Sequence, residues 1–475
     1  MAVSGCVSNQ TQKVLDGAYE RSHVIQTSPA DSSTDLSARE ARVKAENSSS
    51  HASASSNDPV PAHESASSNE TASSARVERD QMVKEAVTKS PALAVMAHRA
   101  RALIHAGRAE GSLPSAELNF EVWNLPLERP YSLNEAEMYM VELRQRFPAA
   151  GSLDARARSR AEQAEAILAE VASEERIVAE RAAVAFADYE HAFVEKRLEE
   201  RQLALLARMN QAVTARFATG GSGLAEAARI QVEISKTERA LARIEGQIAR
   251  ARATLNAVLR RPVTASLGEP EPLPAETVRL SIDELLQRSG DHRGATLSAD
   301  ARLRAAQARR EAAEAEAHVP EFMVGLGYWQ DPSMRPGFGV NASMTLPWLW
   351  GPGRERLAEA REEEAAEVAA RENVDVEAQT EITTVHAQLR ALESELLVVE
   401  DRGLPSARRS FDALAASYST GSASLLDWVD VSRTVLELEM EAAQLHGDLA
   451  RNIASLERAV GTSLPRVSIR EIVTP

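Results

Sequence analysis

Apolar positions along the chain follow two periods, and the switches between them divide it into helices and strands. After Glu78, residues Leu93, Met96, Ala97, Ala100, Leu103 and Ile104 recur at spacings of three and four, the period of a helix with one buried face. Pro114 ends that segment, because proline has no N–H to continue a helix. Further on, apolar residues at 164, 167, 168, 171, 178 and 182 drift along a heptad-like stripe, inside a stretch from Gly151 to Arg216 with no proline and no internal glycine. At ~1.5 Å per residue that stretch makes about 100 Å of helix, suited to side-by-side packing with other rods. Its counterpart, Arg354 to Ser417, is interrupted only by Gly403 and Pro405. Elsewhere the period drops to two. Phe338, Val340, Ala342, Met344 and Leu346 alternate with Gly339, Asn341, Ser343 and Thr345, and Phe322, Val324, Leu326 and Tyr328 alternate with Met323, Gly325 and Gly327. Leu118, Phe120 and Val122, then Tyr139, Val141, Leu143 and Phe147, repeat the pattern. Period two predicts strands at about 117–125, 137–147, 322–330 and 338–346.

These elements occur twice. Phe217-Ala218-Thr219-Gly220 returns as Tyr418-Ser419-Thr420-Gly421, an offset of 201 that also carries Leu224 onto Leu425, Ile230 onto Val431, Ile244 onto Leu445, Ile248 onto Leu449 and Leu255 onto Leu456. Pro114 with Trp123 matches Pro320 with Trp329, and Phe147-Pro148 matches Leu346-Pro347. Self-similarity over such a span marks a tandem duplication. The organisation read from it is an N-terminal arm (1–77), a first repeat (78–265), a Pro-rich linker (266–279), a second repeat (280–465) and a tail (466–475). Each repeat runs helix, strand pair, very long helix, glycine turn, long helix.

A plain coiled coil explains the helices equally well, so the strands carry the decision. Alternating segments of about 9–11 residues are the signature of membrane barrel strands, and Trp123, Trp329, Trp348 and Trp350 lie at or just past strand ends, where an aromatic girdle is expected. A soluble sheet sandwich is the alternative. Four strands cannot close a barrel and bilayer strands cannot leave edges unpaired, so a membrane reading requires several chains to share one barrel. Two chains supply eight strands and three supply twelve, and cyclic symmetry admits both.

Composition narrows the picture. Seventy acidic against 54 basic residues give a net charge of -16 with no basic run, which argues against a nucleic-acid surface. The single cysteine, Cys6, excludes internal disulfides and Cys-ligated metal sites within one chain. With hydrophobics at 44% but aromatics at 4%, the apolar content is largely Ala, Leu and Val, fit for closely packed helices. No apolar run reaches 18 residues, so membrane insertion has to be by strands. Residues 7 to about 77 are rich in Ser, Ala, Asn and Glu and read as a disordered tether. No GxSxG, HExxH, Walker or dinucleotide motif occurs, so neither an enzyme nor a cofactor or resident metal is expected. Asp188 and His191 share a helix face without a third ligand. Met323, Met334 and Met344 near the second strand pair suit copper(I) chemically, with strand packing as the plainer role.

With the doubled order of elements, the aromatic, Gly and Leu signature at both glycine turns, Ser90-Pro91-Ala92-Leu93, and the strand-Pro-helix junctions at Pro148 and Pro347, residues 80–465 resemble the TolC family of outer-membrane efflux ducts. Leu113–Leu125 and Glu137–Arg156 resemble its heavy-metal branch, which serves cobalt, zinc, cadmium or copper exporters. The resemblance implies a mainly α protein whose tandem long helical hairpins form a periplasmic tunnel. Four strands per chain would enter a shared 12-stranded barrel in a homotrimer in the outer membrane. It implies a periplasmic adaptor and an inner-membrane pump as partners, proton-driven on the first reading and ATP-driven on the other, and passive conduction of metal cations or drugs. It places Asp427, Asp430 and Tyr418, with Glu226 in the first repeat, at a pore aperture. An arginine of the family's closing network is replaced here by Ala423. Gly220, Gly221, Ser222, Gly223, Leu224, Gly421, Ser422, Ala423, Ser424 and Leu425 correspond to adaptor-docking tips. Val3-Ser4-Gly5-Cys6 resembles a lipobox with Cys6 lipidated, although the residues before it are too few for a signal peptide, which implies a start further upstream. The rival from another class is an elongated periplasmic lipoprotein rod, and the aspartates have an ordinary alternative as acids complementing a helix start.

Overall fold

Proline and glycine punctuation sets the helix lengths. A computed structural model describes residues 7–24, 76–124, 128, 136–218, 224–331 and 335–470. In chain order these form α1 (Asn9–Val24), α2 (Arg79–Thr88), α3 (Pro91–Glu110), β1 (Glu117–Trp123), β2 (Met138–Phe147), α4 (Ser152–Ala218), α5 (Leu224–Val258), β3 (Glu276–Val278), α6 (Ile282–His292), α7 (Gly294–His318), β4 (Phe322–Gln330), β5 (Gly337–Met344), α8 (Gly353–Val398), α9 (Leu404–Thr420), α10 (Leu425–Val460) and β6 (Arg466–Ser468). The proline-free stretch becomes a single helix of 67 residues, α4. Its counterpart splits into α8 and α9 at a π-turn, Val399–Gly403. Pro405 sits at the start of α9, and its missing N–H is accommodated by the wider turn just before it. Among the described residues no helix is long and apolar enough to cross a membrane.

The chain divides into two compact units, and α4 and α8 contribute residues to both. The first unit holds residues 1–26, 92–172 and 294–377. Here β1, β2, β4 and β5 form one antiparallel sheet in the order β1-β2-β4-β5. Below the strands in sequence, alanines make the helix seams: Ala157, Ala161 and Ala164 of α4 and Ala301, Ala305 and Ala308 of α7 are buried. Small side chains permit close approach, and arginine-carboxylate pairs flank them, Arg304 to Glu162 at 2.8 Å and Arg158 to Glu311 at 2.7 Å.

The segment 7–24, expected as part of a disordered tether, is instead ordered from Asn9 as α1. Leu15 and Ala18 are fully buried against Ile104, Ala161 and Ala164. The Ser8 N–H donates to Asp154 at 2.7 Å, Arg108 reaches Asp16 at 2.9 Å, and the Arg108 guanidinium lies 5.0 Å from the Tyr19 ring centroid. The average polarity of the arm concealed a short amphipathic stretch with its own apolar face. Of the rest of the arm, 1–6 and 25–75 lie outside the described residues and 76–77 within them.

The second unit holds residues 27–91, 173–293 and 378–475. Two related cores lie in it, besides a third cluster around Tyr418. One gathers Met82, Phe186, Tyr189, Leu255 and Leu259, and the other Leu285, Ile382, Leu389, Leu449 and Leu456. The linker and the tail are not mere connections: β3 pairs antiparallel with β6, Thr277 opposite Val467, and the buried Thr277 hydroxyl donates to Glu393. Three-residue strands leave too short a pattern to read as alternation.

Candidate functional site: the helical turn and the strand faces

Two surfaces carry the candidate residues, one in each unit. In the second unit, α9 ends where Gly421 takes φ of +82°, a left-handed conformation that glycine adopts without a Cβ penalty. Ser424 caps α10. Its Oγ accepts from the Asp427 N–H at 3.2 Å and donates to Asp427 Oδ2 at 2.9 Å, so Asp427 both complements the helix start and stays exposed. Asp430, one turn on, is also exposed and pairs with Arg433 at 3.2 Å.

Tyr418 is 2% exposed, within a cluster of Leu206, Met209, Val213, Ile230, Leu425 and Val429. The Trp428 ring lies 5.2 Å from its centroid. From α4, Arg216 Nη1 donates to the Tyr418 carbonyl at 2.9 Å, and the guanidinium carbon lies 4.7 Å from the ring centroid. Burial raises the Tyr418 pKa, and the charge of nearby Glu226 raises it further. The Tyr418 hydroxyl and Glu226 Oε2 are buried near neighbours, neither with a hydrogen-bond partner of good geometry. The structure thus brings Tyr418 and Glu226 together and leaves Asp427 and Asp430 on the outside of α10. Residues 220–223 and Cys6 fall outside the described residues, and of Leu224 only the backbone is described.

Sequence reasoning missed Arg216, Glu233 and Arg433. Arg433 donates through Nε to Glu233 Oε2 at 3.1 Å, Glu233 on α5 is 7% exposed, and Lys236 adds a 3.0 Å contact. Arg433 lies three residues beyond Asp430, but nothing in the sequence signals that it reaches another helix.

In the first unit the sheet has two unlike faces. Register aligns Leu118, Leu143, Leu326 and Val340 in one row and Phe120, Val141, Tyr328 and Phe338 in the next, with Phe147, Phe322 and Met344 in another. These apolar side chains point away from the protein: Leu118 is 72%, Phe338 76% and Val340 75% exposed. The opposite face carries Glu121, Met140, Glu142, Arg144 and Asn341. Glu142 is only 2% exposed; Arg144 Nε donates to it at 2.7 Å, and Asn341 of β5 reaches it across β4. Gly325 makes that reach possible, since a Cβ there would collide with both Glu142 and Asn341.

Trp123 and Trp329, expected in an outward girdle, lie on this polar face. Trp123 pairs with Met138 and donates to Glu121 at 3.2 Å, and Trp329 covers Gly337 and Gly339, where a Cβ would strike its ring. Strand parity decides it, because both tryptophans fall on the opposite phase from their strands' exposed apolar residues. Trp348 and Trp350, past the end of β5, are exposed. Parity also separates Met323 from Met344, and Met334 is outside the described residues. Asp188 pairs with Arg451 at 3.3 Å. Among the described residues no cluster of three or more His, Cys, Asp or Glu could hold a metal.

Comparison with known proteins fits this geometry. Residues 285–462, most of the second repeat, match the family of outer membrane efflux proteins. The chain shares its fold with solved outer-membrane channels. CusC matches with a TM-score of 0.70 at 18% identity, covering 81% of this chain and 92% of that one. VceC of Vibrio cholerae matches at 0.67 and 19%, over 82% and 97%. The open-state MtrE channel of Neisseria gonorrhoeae matches at 0.67 and 19%, over 81% and 89%. At these identities the likeness establishes the fold. No curated protein sequence matches the chain.

Proposed function

We propose that the protein is the passive outer-membrane duct of a tripartite efflux system. Three copies share a 12-stranded barrel and pass cargo from an inner-membrane pump and a periplasmic adaptor to the exterior. The observation that carries this reading is the sheet: four strands with an exposed apolar face, a polar opposite face and two open edges. Such edges in lipid call for further copies, and a periplasmic rod has no use for the exposed face.

In this reading the polar face, with Glu142, Arg144 and Asn341, lines the barrel, and Leu118, Phe120, Val340 and Phe338 meet lipid. Asp427 and Asp430 form acidic rings at the narrow periplasmic end, with Tyr418 and Glu226 behind them, and favour cations over anions. The turns at 220–224 and 421–425 meet the adaptor, whose docking moves the second repeat's helices outward. The cargo is a metal cation or an organic drug. Lipidation of Cys6, immediately before the docked α1, would anchor the chain to the periplasmic leaflet. The pump selects the substrate and supplies the energy.

The test is the protein mass of the species extracted from outer membranes in mild detergent, by light scattering corrected for bound detergent. A mass of three chains is expected. A detergent-independent monomer in the soluble fraction would overturn the reading.

A further inference from the structure

Three helices of the first unit, α3, α4 and α7, enclose a crevice of about 430 Å³. Its charged lining is Arg156 and Arg160 of α4, Arg309 of α7 and Glu110 of α3. Three cations against one anion run counter to a chain with 70 acidic and 54 basic residues, and a cleft lined by one sign of charge concentrates the opposite ion. Each guanidinium is held by a separate carboxylate, and only in part. Arg156 gives Nε and Nη2 to Glu316, Nε at 2.8 Å. Arg160 gives Nε to Glu110 at 2.9 Å and Nη1 to Gln163 at 3.1 Å, and Arg309 gives Nη1 to Glu363 at 2.6 Å.

Nη1 of Arg156, Nη2 of Arg160, and Nε and Nη2 of Arg309 have no acceptor among the described residues. The ion pairs therefore fix the three forks and leave donors over. Oriented, unoccupied donors from two helices suit a tetrahedral oxyanion, and the planar arginine fork matches phosphate oxygens in pairs. The crevice also stands at a defined height. Phe147, Phe322 and Met344 share the end row of the sheet, where β2 leads into α4 and α7 into β4. Arg156 lies four residues beyond Ser152, about 6 Å of helix rise, and Arg309 nine before His318, about 14 Å. The headgroup layer beside a hydrocarbon core is about 5–7 Å thick, and arginine stems extend toward it. At the same end of the sheet, the segment after β5 exposes Trp348 and Trp350, the residue type of a membrane interface.

We propose that Arg156, Arg160 and Arg309 form a phosphate-binding site, filled by the headgroup phosphate of a lipid in the periplasmic leaflet. The lipid as source rests on the reading of the sheet as barrel wall; the chemistry of the crevice does not. A phosphate held there bridges α4 and α7, the helices joined to the two central strands β2 and β4, and so braces the sheet from its helical side.

The experiment uses the full-length protein in an alkyl maltoside, a detergent without phosphate. Inorganic phosphate is titrated by calorimetry, and native mass spectrometry follows retention of added phosphatidylglycerol against a phosphate-free galactolipid. Wild type is expected to bind inorganic phosphate and to keep phosphatidylglycerol in preference to the galactolipid. Arg156→Gln and Arg309→Gln should each weaken both about tenfold. Arg158→Gln, which loses ion pairs to Asp154 and Glu311 outside the crevice, should bind as wild type, and so separates loss of the site from loss of any arginine on α4. Equal phosphate affinity in wild type and the two crevice variants, or none in any of them, would overturn the site. Phosphate affinity that falls in the variants with no preference between the two lipids would keep the site and overturn the lipid as its source. Phosphate binding by a detergent-independent soluble chain would keep the crevice and overturn the duct.

Discussion

Arg216 on α4 grips Tyr418 on α9 twice, through a 2.9 Å hydrogen bond to its carbonyl and through a guanidinium 4.7 Å from its ring centroid. The same carbonyl accepts the Gly421 N–H at 3.1 Å, so one arginine braces the last turn of α9 and the aromatic ring buried beneath it. Removing it loses a charged hydrogen bond and a cation–π contact, together about 2–4 kcal/mol. Arg216→Ala is expected to loosen the α9–α10 turn, seen as faster amide exchange at residues 418–422. Arg216→Lys should recover only part of the protection, because lysine lacks the planar fork. Equal protection in all three proteins would show that the contact does not support the turn.

Acid should release the α5–α10 contact only well below neutrality. Burial pushes the Glu233 pKa up, but hydrogen bonds and charges from Arg433 and Lys236 outweigh it and leave the pKa lowered from 4.5. A folded-state pKa below the unfolded value contributes stability that is present above the unfolded pKa and lost as pH falls through the folded one. The rate of amide exchange at the α5–α10 contact, relative to the unstructured chain, is therefore expected to stay flat from neutral pH down to the ordinary carboxylate value of 4.5 and to rise only below it. Arg433→Gln should move that rise to higher pH. A rise centred between pH 6 and 7 in wild type would assign the response to another group.

The long helices, the four barrel-type strands and the doubled order were legible because each repeats a simple period over many residues. Alternation over Phe338–Leu346 needs no knowledge of the partner strand, and the absence of proline from 152 to 216 is enough for α4. What sequence could not show depends on partners far along the chain. Arg433 meets Glu233 200 positions away, and β3 meets β6 through three residues each. The tryptophans show a subtler limit: proximity to a strand end suggested a girdle, yet the parity of Trp123 and Trp329 places them on the polar face. Tyr418 and Glu226 do lie together, whereas the acids at 427 and 430 serve a cap and an ion pair within one chain.

The ordered α1 makes a claim on stability. Leu15 is fully buried beside Ile104, Ala161 and Ala164, and truncating a buried leucine typically costs about 2–5 kcal/mol. Leu15→Ala is expected to detach α1 rather than unfold the first unit, because Ile104 and the alanines belong to helices with other partners. Limited proteolysis should then cut within 9–24 in the variant and not in wild type. Resistance to cleavage in both would mean that the polar contacts, Ser8 to Asp154 and Arg108 to Asp16, suffice to hold the helix.

The last prediction concerns the sheet. Glu142 lies over a β4 strand that has no side chain at 325 or 327, and through that gap it takes a hydrogen bond from Asn341 two strands away. A Cβ at 325 would occupy the space of both side chains, whereas Gly327 leaves 3.7 Å to the Glu142 methylene, ordinary contact distance. Alanine should therefore behave very differently at two glycines on the same strand and the same face. Gly325→Ala forces Glu142 and Asn341 apart, unties β5 from β2 and distorts the edge strand that a neighbouring copy would have to pair with. Gly327→Ala leaves the clamp intact. On unheated denaturing gels of outer-membrane extracts, Gly325→Ala should reduce the assembled oligomer several-fold, and Gly327→Ala should leave it near wild type. Similar yields from the two variants would mean that the β2–β5 clamp has no part in assembly.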